Sequence, residues 1–377
     1  MDLVRWIGFA LGIVVVLWTG AGVIRTLIVP RGLQSLLPRV LARRTQKAFL
    51  FVARRFDTYE ARDRILAFQA PTFLLTLLGT WIVFFLIGYG LILWPMVESF
   101  PQALLESGSS VFTLGSEATQ ATGPVLVHFL AATTGLVIIA LLVGYLPTLY
   151  SAFNRREITV TTLQSRAGAP AWGPELLWRY HNVGLLHTLK DLYVEWERWA
   201  ADVAETHTNY PVLIFFRSPH PLRNWVLGLL AVMDSAALSL ALAPGVAPVE
   251  ARLCIRMGFL CLREIASFLQ IPHETDPLPD DPIDLTFEEF AAGVDRLRDA
   301  GFPIERSYEE AWVHFKGWRV NYESVAYTLA DVVSAAPGPW SGPRTHMPGM
   351  QIIPQRPTNR TPDNAVTERA RGEGVGH

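Results

Sequence analysis

Residues 109–120 read Ser-Ser-Val-Phe-Thr-Leu-Gly-Ser-Glu-Ala-Thr-Gln and lie between two apolar stretches. A connecting loop needs nothing special there. A re-entrant segment that lines a water-filled path needs backbone freedom, small side chains and oxygen atoms, and Thr113, Leu114, Gly115, Ser116 and Glu117 supply them. Chemistry of other kinds finds less footing. No G-x-G-x-x-G fingerprint follows a strand pattern, no Walker motif occurs, and no paired carboxylates, nucleophile triad or metal spacing stands near a membrane face, so the expectation is no enzyme and no cofactor. His273-Glu274-Thr275-Asp276, with Asp280, Asp281 and Asp284, offers oxygen ligands to an ion such as calcium, but proline-punctuated acidic loops are usually just solvated and no metal is expected. Arg217 and His220, in Phe-Phe-Arg-Ser-Pro-His-Pro, suit an anion or lipid contact or a plain turn between helices. Cys254 and Cys261 are seven apart on one helical face and read as reduced core residues.

The elements that must position the stretch follow from composition. Of 377 residues 50% are hydrophobic and 18% charged, and the charges are unevenly spread. Residues 6–24 and 65–97 carry none, and 118–154 carry none apart from His128 if it titrates. Each run reaches the roughly 20 residues that cross a bilayer. Residues 1–30 therefore read as a retained first transmembrane helix, since no small-x-small cleavage pattern ends it before Arg25. Residues 31–65 form a basic amphipathic loop, 66–154 a helix–loop–helix membrane domain, 155–336 a helical domain of its own core, and 337–377 a disordered tail rich in Pro, Gly, Arg and Thr.

Orientation comes from the flanks. Residues 31–65 hold nine Lys or Arg against three acids, which marks the cytoplasmic side. Residues 96–123 hold Glu98, Glu106 and Glu117 with no basic residue, and the third span returns to Arg155-Arg156. The expectation is a multi-pass plasma-membrane protein with its N-terminus outside and everything after 155 cytoplasmic. The basic loop fits a helix lying along headgroups as well as a solvated linker.

Pro101 can open a helix, and residues 102–112 add about three turns before Thr113, too short to span. From these residues onward the chain resembles the potassium-channel pore family, in its bacterial single-pore, two-pore-domain-like group: outer helix, pore helix, a Thr-Val-Gly-Tyr-Gly-like filter, and an inner helix with a glycine hinge. Thr113, Leu114 and Gly115 match the first three filter positions, and Gly135 falls at the hinge distance. Ser116 stands where an aromatic is usual and Glu117 where a second glycine is usual, so the outermost carbonyl sites depart from the pattern. The resemblance implies four such loops around one axis, hence a homotetramer, with filter carbonyls replacing the hydration shell of a monovalent cation, by analogy potassium. The Gly144–Glu157 junction also resembles that group.

Gly135, Gly144 and Pro147 interrupt the inner helix and suit both close packing and a hinge or gate. His128 reads as a packed neutral imidazole or a pH sensor. Residues 221–243 approach the length of a fourth span, but Asp234 at the centre and the arginines of the next helix favour a buried core helix. Thr286-x-x-Glu289 and Ser307-x-x-Glu310 are capping boxes. The expected fold is thus an all-α membrane protein: three transmembrane helices, a re-entrant pore loop between the second and third, and a cytoplasmic helical domain. The expected function is a cation channel of potassium type or of weaker selectivity, gated by an unknown signal; the alternative is a non-conducting membrane sensor or scaffold. Expected partners are lipids and copies of itself, with no nucleic acid.

Overall fold

The computed structural model describes residues 2–29, 36–115 and 122–343. Thirteen α-helices carry the chain, with no strand among the described residues. Helix α1 (Asp2–Leu27) and α4 (Gln69–Leu93) are long and almost free of charge within their apolar parts, so each can cover the roughly 30 Å of a bilayer core at 1.5 Å per residue. Between them α2 (Leu36–Ala53) and α3 (Tyr59–Leu66) carry the basic residues. Ser99 caps α5 (Phe100–Val111) by accepting from the Gln102 N–H, and Pro101 sits in its first turn, where the missing N–H removes no bond. Helix α6 (Thr122–Ala167) runs 46 residues without a break, roughly 70 Å. The boundary expected after residue 154 therefore falls inside a continuous helix that ties the N-terminal half to the C-terminal half.

Small residues set the packing of the N-terminal half. Helices α1 and α4 run antiparallel: a Cβ on Gly12 would lie 2.6 Å from the Gly88 carbonyl, and one on Gly8 would meet the Trp94 ring at 2.9 Å. The same end is tied by Arg5, whose guanidinium donates to the Val97 and Glu98 carbonyls. At the opposite end the basic segment meets the C-terminal half: Gln46 donates to Val332 O, and Arg217 pairs with Asp63 and donates to Tyr59 Oη. The basic flank and the C-terminal half thus share one end of the helix bundle, and Glu98 lies at the other.

The C-terminal half comprises α7 (Gly173–Asn182), α8 (Leu189–Asn209), α9 (Trp225–Leu242), α10 (Glu250–Leu269), α11 (Phe287–Asp299), α12 (Tyr308–Arg319) and α13 (Glu323–Val332). Among the described residues four helices are long and apolar enough to cross a membrane, α9 being the fourth. All eighteen residues of α9 are buried by its neighbours, which is what a helix apolar on every face requires in a core. Asp234 on α9 is held by Arg319 at 2.6 Å and by the Tyr322 hydroxyl at 2.8 Å. Both expected capping boxes are formed, opening α11 and α12. Cys254 and Cys261 are free thiols in the core, where burial pushes both up from their ordinary value.

Candidate functional site

The site is built around α5, which packs against both α4 and α6. Against α4, a Cβ on Gly90 would meet the Leu104 side chain at 2.8 Å, and Ser107 Oγ donates to Leu86 O at 2.9 Å. Successive residues of α5 therefore meet progressively earlier residues of α4, so α5 runs back alongside it. Against α6, Ser110 Oγ lies 2.7 Å from His128 Nδ1, and a Cβ on Gly135 would lie 2.0 Å from Val111 O. Gly135 is thirteen residues into α6, which puts the C-terminus of α5 roughly 20 Å along that helix from its first residue. Tyr89 bridges the two long helices at that depth, its hydroxyl 2.6 Å from Thr134 Oγ1. A helix C-terminus carries about half a negative charge, and this one ends alongside α6 roughly 20 Å from its first residue.

Beyond α5 the backbone turns back. Thr113 adopts φ 57° and Gly115 φ 86°. The Leu114 N–H bonds to Ser109 O at 2.8 Å and the Thr113 N–H to Ser110 O at 2.9 Å, the paired bonds of a Schellman cap with Thr113 in the left-handed position. A β-branched residue there is strained, by about 1–3 kcal/mol, whereas Gly115 tolerates its conformation freely. Ser109 Oγ donates to Gly115 O at 2.6 Å, so this carbonyl is engaged by the short helix. The Leu114 side chain is 78% exposed. Ser116 and Glu117 lie outside the described residues.

Behind the turn stands a polar cluster that sequence reasoning missed. His128 Nε2 lies 3.4 Å from Glu106 Oε2, and both side chains are mostly buried. Glu106 and Ser110 are one turn apart on α5, which puts them on the same face toward α6; this i, i+4 spacing is the signal that could have found the cluster. His128 is thus hydrogen-bonded at Nδ1 to Ser110, while its Nε2 faces the Glu106 carboxylate without a hydrogen bond.

The residues expected to bend the inner helix behave differently from one another. Gly135 is a close-contact position against Val111, Gly144 faces open space, and α6 continues helical through Pro147. At the far end Arg156, fully buried, donates to Leu213 O and Phe216 O at 2.7 Å each and to His207 Nε2 at 3.0 Å, locking α6 onto the C-terminal half. Burial, reinforced by that guanidinium, holds the His207 imidazole well below its ordinary 6.5.

Two other sequence candidates change meaning. Arg217 is committed to Asp63, Tyr59, Val333 O and Ser334 O and so ties elements together instead of waiting for an anion. The acidic stretch 273–284 gathers no metal site: among the described residues no group of His, Cys, Asp and Glu could hold an ion, and the Asp281 carboxylate caps the Leu278 N–H. Comparison with protein-family models, curated proteins and solved structures gives no match.

Proposed function

We propose that the chain is one subunit of a homotetrameric cation channel of potassium-channel type in the plasma membrane. In this reading α4 is the outer helix, α6 the inner helix and α5 a re-entrant pore helix, with Thr113 to Glu117 as the filter strand. The observation that carries it is the depth of α5: twelve residues, too short to span, run back along α4 and end beside Gly135, deep along α6. That placement points a negative helix end and a glycine-containing turn at mid-span, where a permeant cation gains most from them. One loop supplies a quarter of a ring, so four chains are required. Exposed apolar side chains along α6, Phe129, Leu136, Ile139 and Val143 among them, leave surface for lipid and neighbouring copies. The N-terminus lies outside and the basic flank with the C-terminal half lies in the cytoplasm. That half couples an unidentified signal to the pore through Arg156.

A second reading, a sensor or scaffold that does not conduct, is favoured by one observation: Gly115 O is turned onto Ser109 instead of facing open space. Purified protein in planar bilayers under asymmetric potassium and sodium separates the two. The channel reading expects unitary cation currents with a reversal potential on the potassium side of zero. A correctly inserted protein with no current supports the scaffold.

A further inference from the structure

A cavity of about 400 Å³ opens where the basic flank, the long helices and the C-terminal half meet. Its walls come from the end of α1, one face of α2, the start of α4, the middle of α6 and the loop beyond α10. The volume falls within the range of about 300–1,000 Å³ typical of ligand sites. Two properties divide it. Toward the bundle the wall is apolar, with Leu74, Leu78, Trp81 and Leu146; toward the flank stand Arg25, Arg39 and Arg43, and no Asp or Glu lines it among the described residues. The Arg39 Nε–H is buried and has no hydrogen-bond partner, an expensive state for a guanidinium donor. Leu75, on the rim, is 70% exposed, so the apolar side opens outward from the bundle at the ends of the long apolar helices.

We propose that this cavity is a binding site for an anionic glycerophospholipid of the leaflet on the basic side, its phosphate held by Arg39 and Arg43 with Arg25 and an acyl chain laid along Leu78, Trp81 and Leu146. A small anion alone would leave the apolar wall wet. An apolar molecule alone would leave Arg39 unpaired. Three arginines with no carboxylate select a net negative headgroup over a zwitterionic one, and guanidinium forks match phosphate oxygens bidentately. Because α2, α6 and the turn at Pro211–Phe215 all line the site, the bound lipid bridges the basic flank, the inner helix and the C-terminal half.

The inference rests on the membrane reading and not on conduction. A protein that held lipid here without passing current would sink the pore and leave this site standing, whereas a chain recovered in soluble form without detergent would remove the membrane reading itself. The test is native mass spectrometry of the delipidated full chain in detergent, titrated with dioleoyl phosphatidylglycerol or dioleoyl phosphatidylcholine. The expected result is a preference of about tenfold for phosphatidylglycerol, lost in R39Q/R43Q and kept in R298Q, a change at an exposed arginine of the C-terminal half. A42W, which fills the cavity and leaves its charges, should remove tight binding of both lipids, and excess inorganic phosphate should leave phosphatidylglycerol bound. Equal binding of the two lipids, an R39Q/R43Q double variant with wild-type preference, or displacement of lipid by inorganic phosphate overturns the proposal.

Discussion

The two halves of the chain are held together by different balances of the same devices. In the N-terminal half helices approach through missing side chains, with Gly12 against Gly88, Gly90 against Leu104 and Gly135 against the Val111 carbonyl. In the C-terminal half close-contact glycines occur too, Gly173 against Asp234 and Gly258 against Met233, but they sit among large buried side chains, Trp196, Trp225, Tyr193 and Phe315, with the ionisable groups Asp234, Arg319 and Glu323 inside the core. In the membrane reading proposed above, the reason is the solvent each half answers to. Lipid tails are as apolar as leucine, so helices surrounded by them gain little from burying apolar surface and depend on close contact and hydrogen bonds. Water rewards burial of aromatic area, and the stability so gained tolerates buried charges as long as they are paired.

The contrast can be broken most severely at Asp234. Asp234→Asn keeps the volume roughly constant but strips Arg319 of a charged buried partner, and removing one member of a buried pair costs about 3–5 kcal/mol. Chemical unfolding of the full chain in detergent, followed by tryptophan fluorescence, should show the C-terminal half losing that much while the helical signal of the N-terminal half persists. A smaller effect is expected at Gly135. A Cβ there would sit 2.0 Å from Val111 O, so Gly135→Val must push α5 away from α6, at about 1–3 kcal/mol for forced overpacking. Ion flux should disappear with it, while Gly144→Val, in open space, should leave assembly intact.

The pH response sharpens the comparison further. His207 is buried against Arg156, Thr206 and the Trp225 ring, and its pKa is depressed below 6.5. In the unfolded chain it takes up a proton as pH falls through 6.5, whereas the folded protein resists doing so. Its contribution to stability is therefore present above about 6.5 and is lost progressively on acidification. His207→Gln, which retains an acceptor for Arg156 but cannot titrate, should flatten the dependence of melting temperature on pH between neutrality and mild acid. The smallest effect belongs to the exposed pair Arg155 and Asp202: Arg155→Ala should change stability by less than about 1 kcal/mol and fade in high salt.

Much of the architecture was legible before any coordinates. Charge-free runs marked α1, α4 and the apolar part of α6, the capping boxes marked the starts of α11 and α12, and Asp234 argued that α9 belongs in a core. What escaped were relations across the fold. After Arg155 helix α6 changes from apolar to amphipathic without a breaker, so its continuation to Ala167 left no mark in composition. The partners of Arg217 lie 154 and more than 100 residues away, on α3 and at residues 333–334. The Glu106, Ser110 and His128 cluster exists only because α5 lies beside α6. Thr113, Leu114 and Gly115 could be singled out by type, but their fold-back onto Ser109 depends on how α5 ends.

Whether the turn after α5 faces a permeation path is decided most directly at Leu114, whose side chain is 78% exposed. The two native cysteines are fully buried and will not compete for a polar reagent. Leu114→Cys protein is reconstituted in liposomes, treated with a charged, water-soluble methanethiosulfonate, and its potassium flux followed while mass spectrometry confirms modification. If the turn lines a pore, flux is present before treatment and falls as the cysteine is modified, whereas untreated and wild-type samples are unchanged. Complete modification with undiminished flux would place the ion path elsewhere, and correctly inserted protein that never conducts would contradict the channel outright.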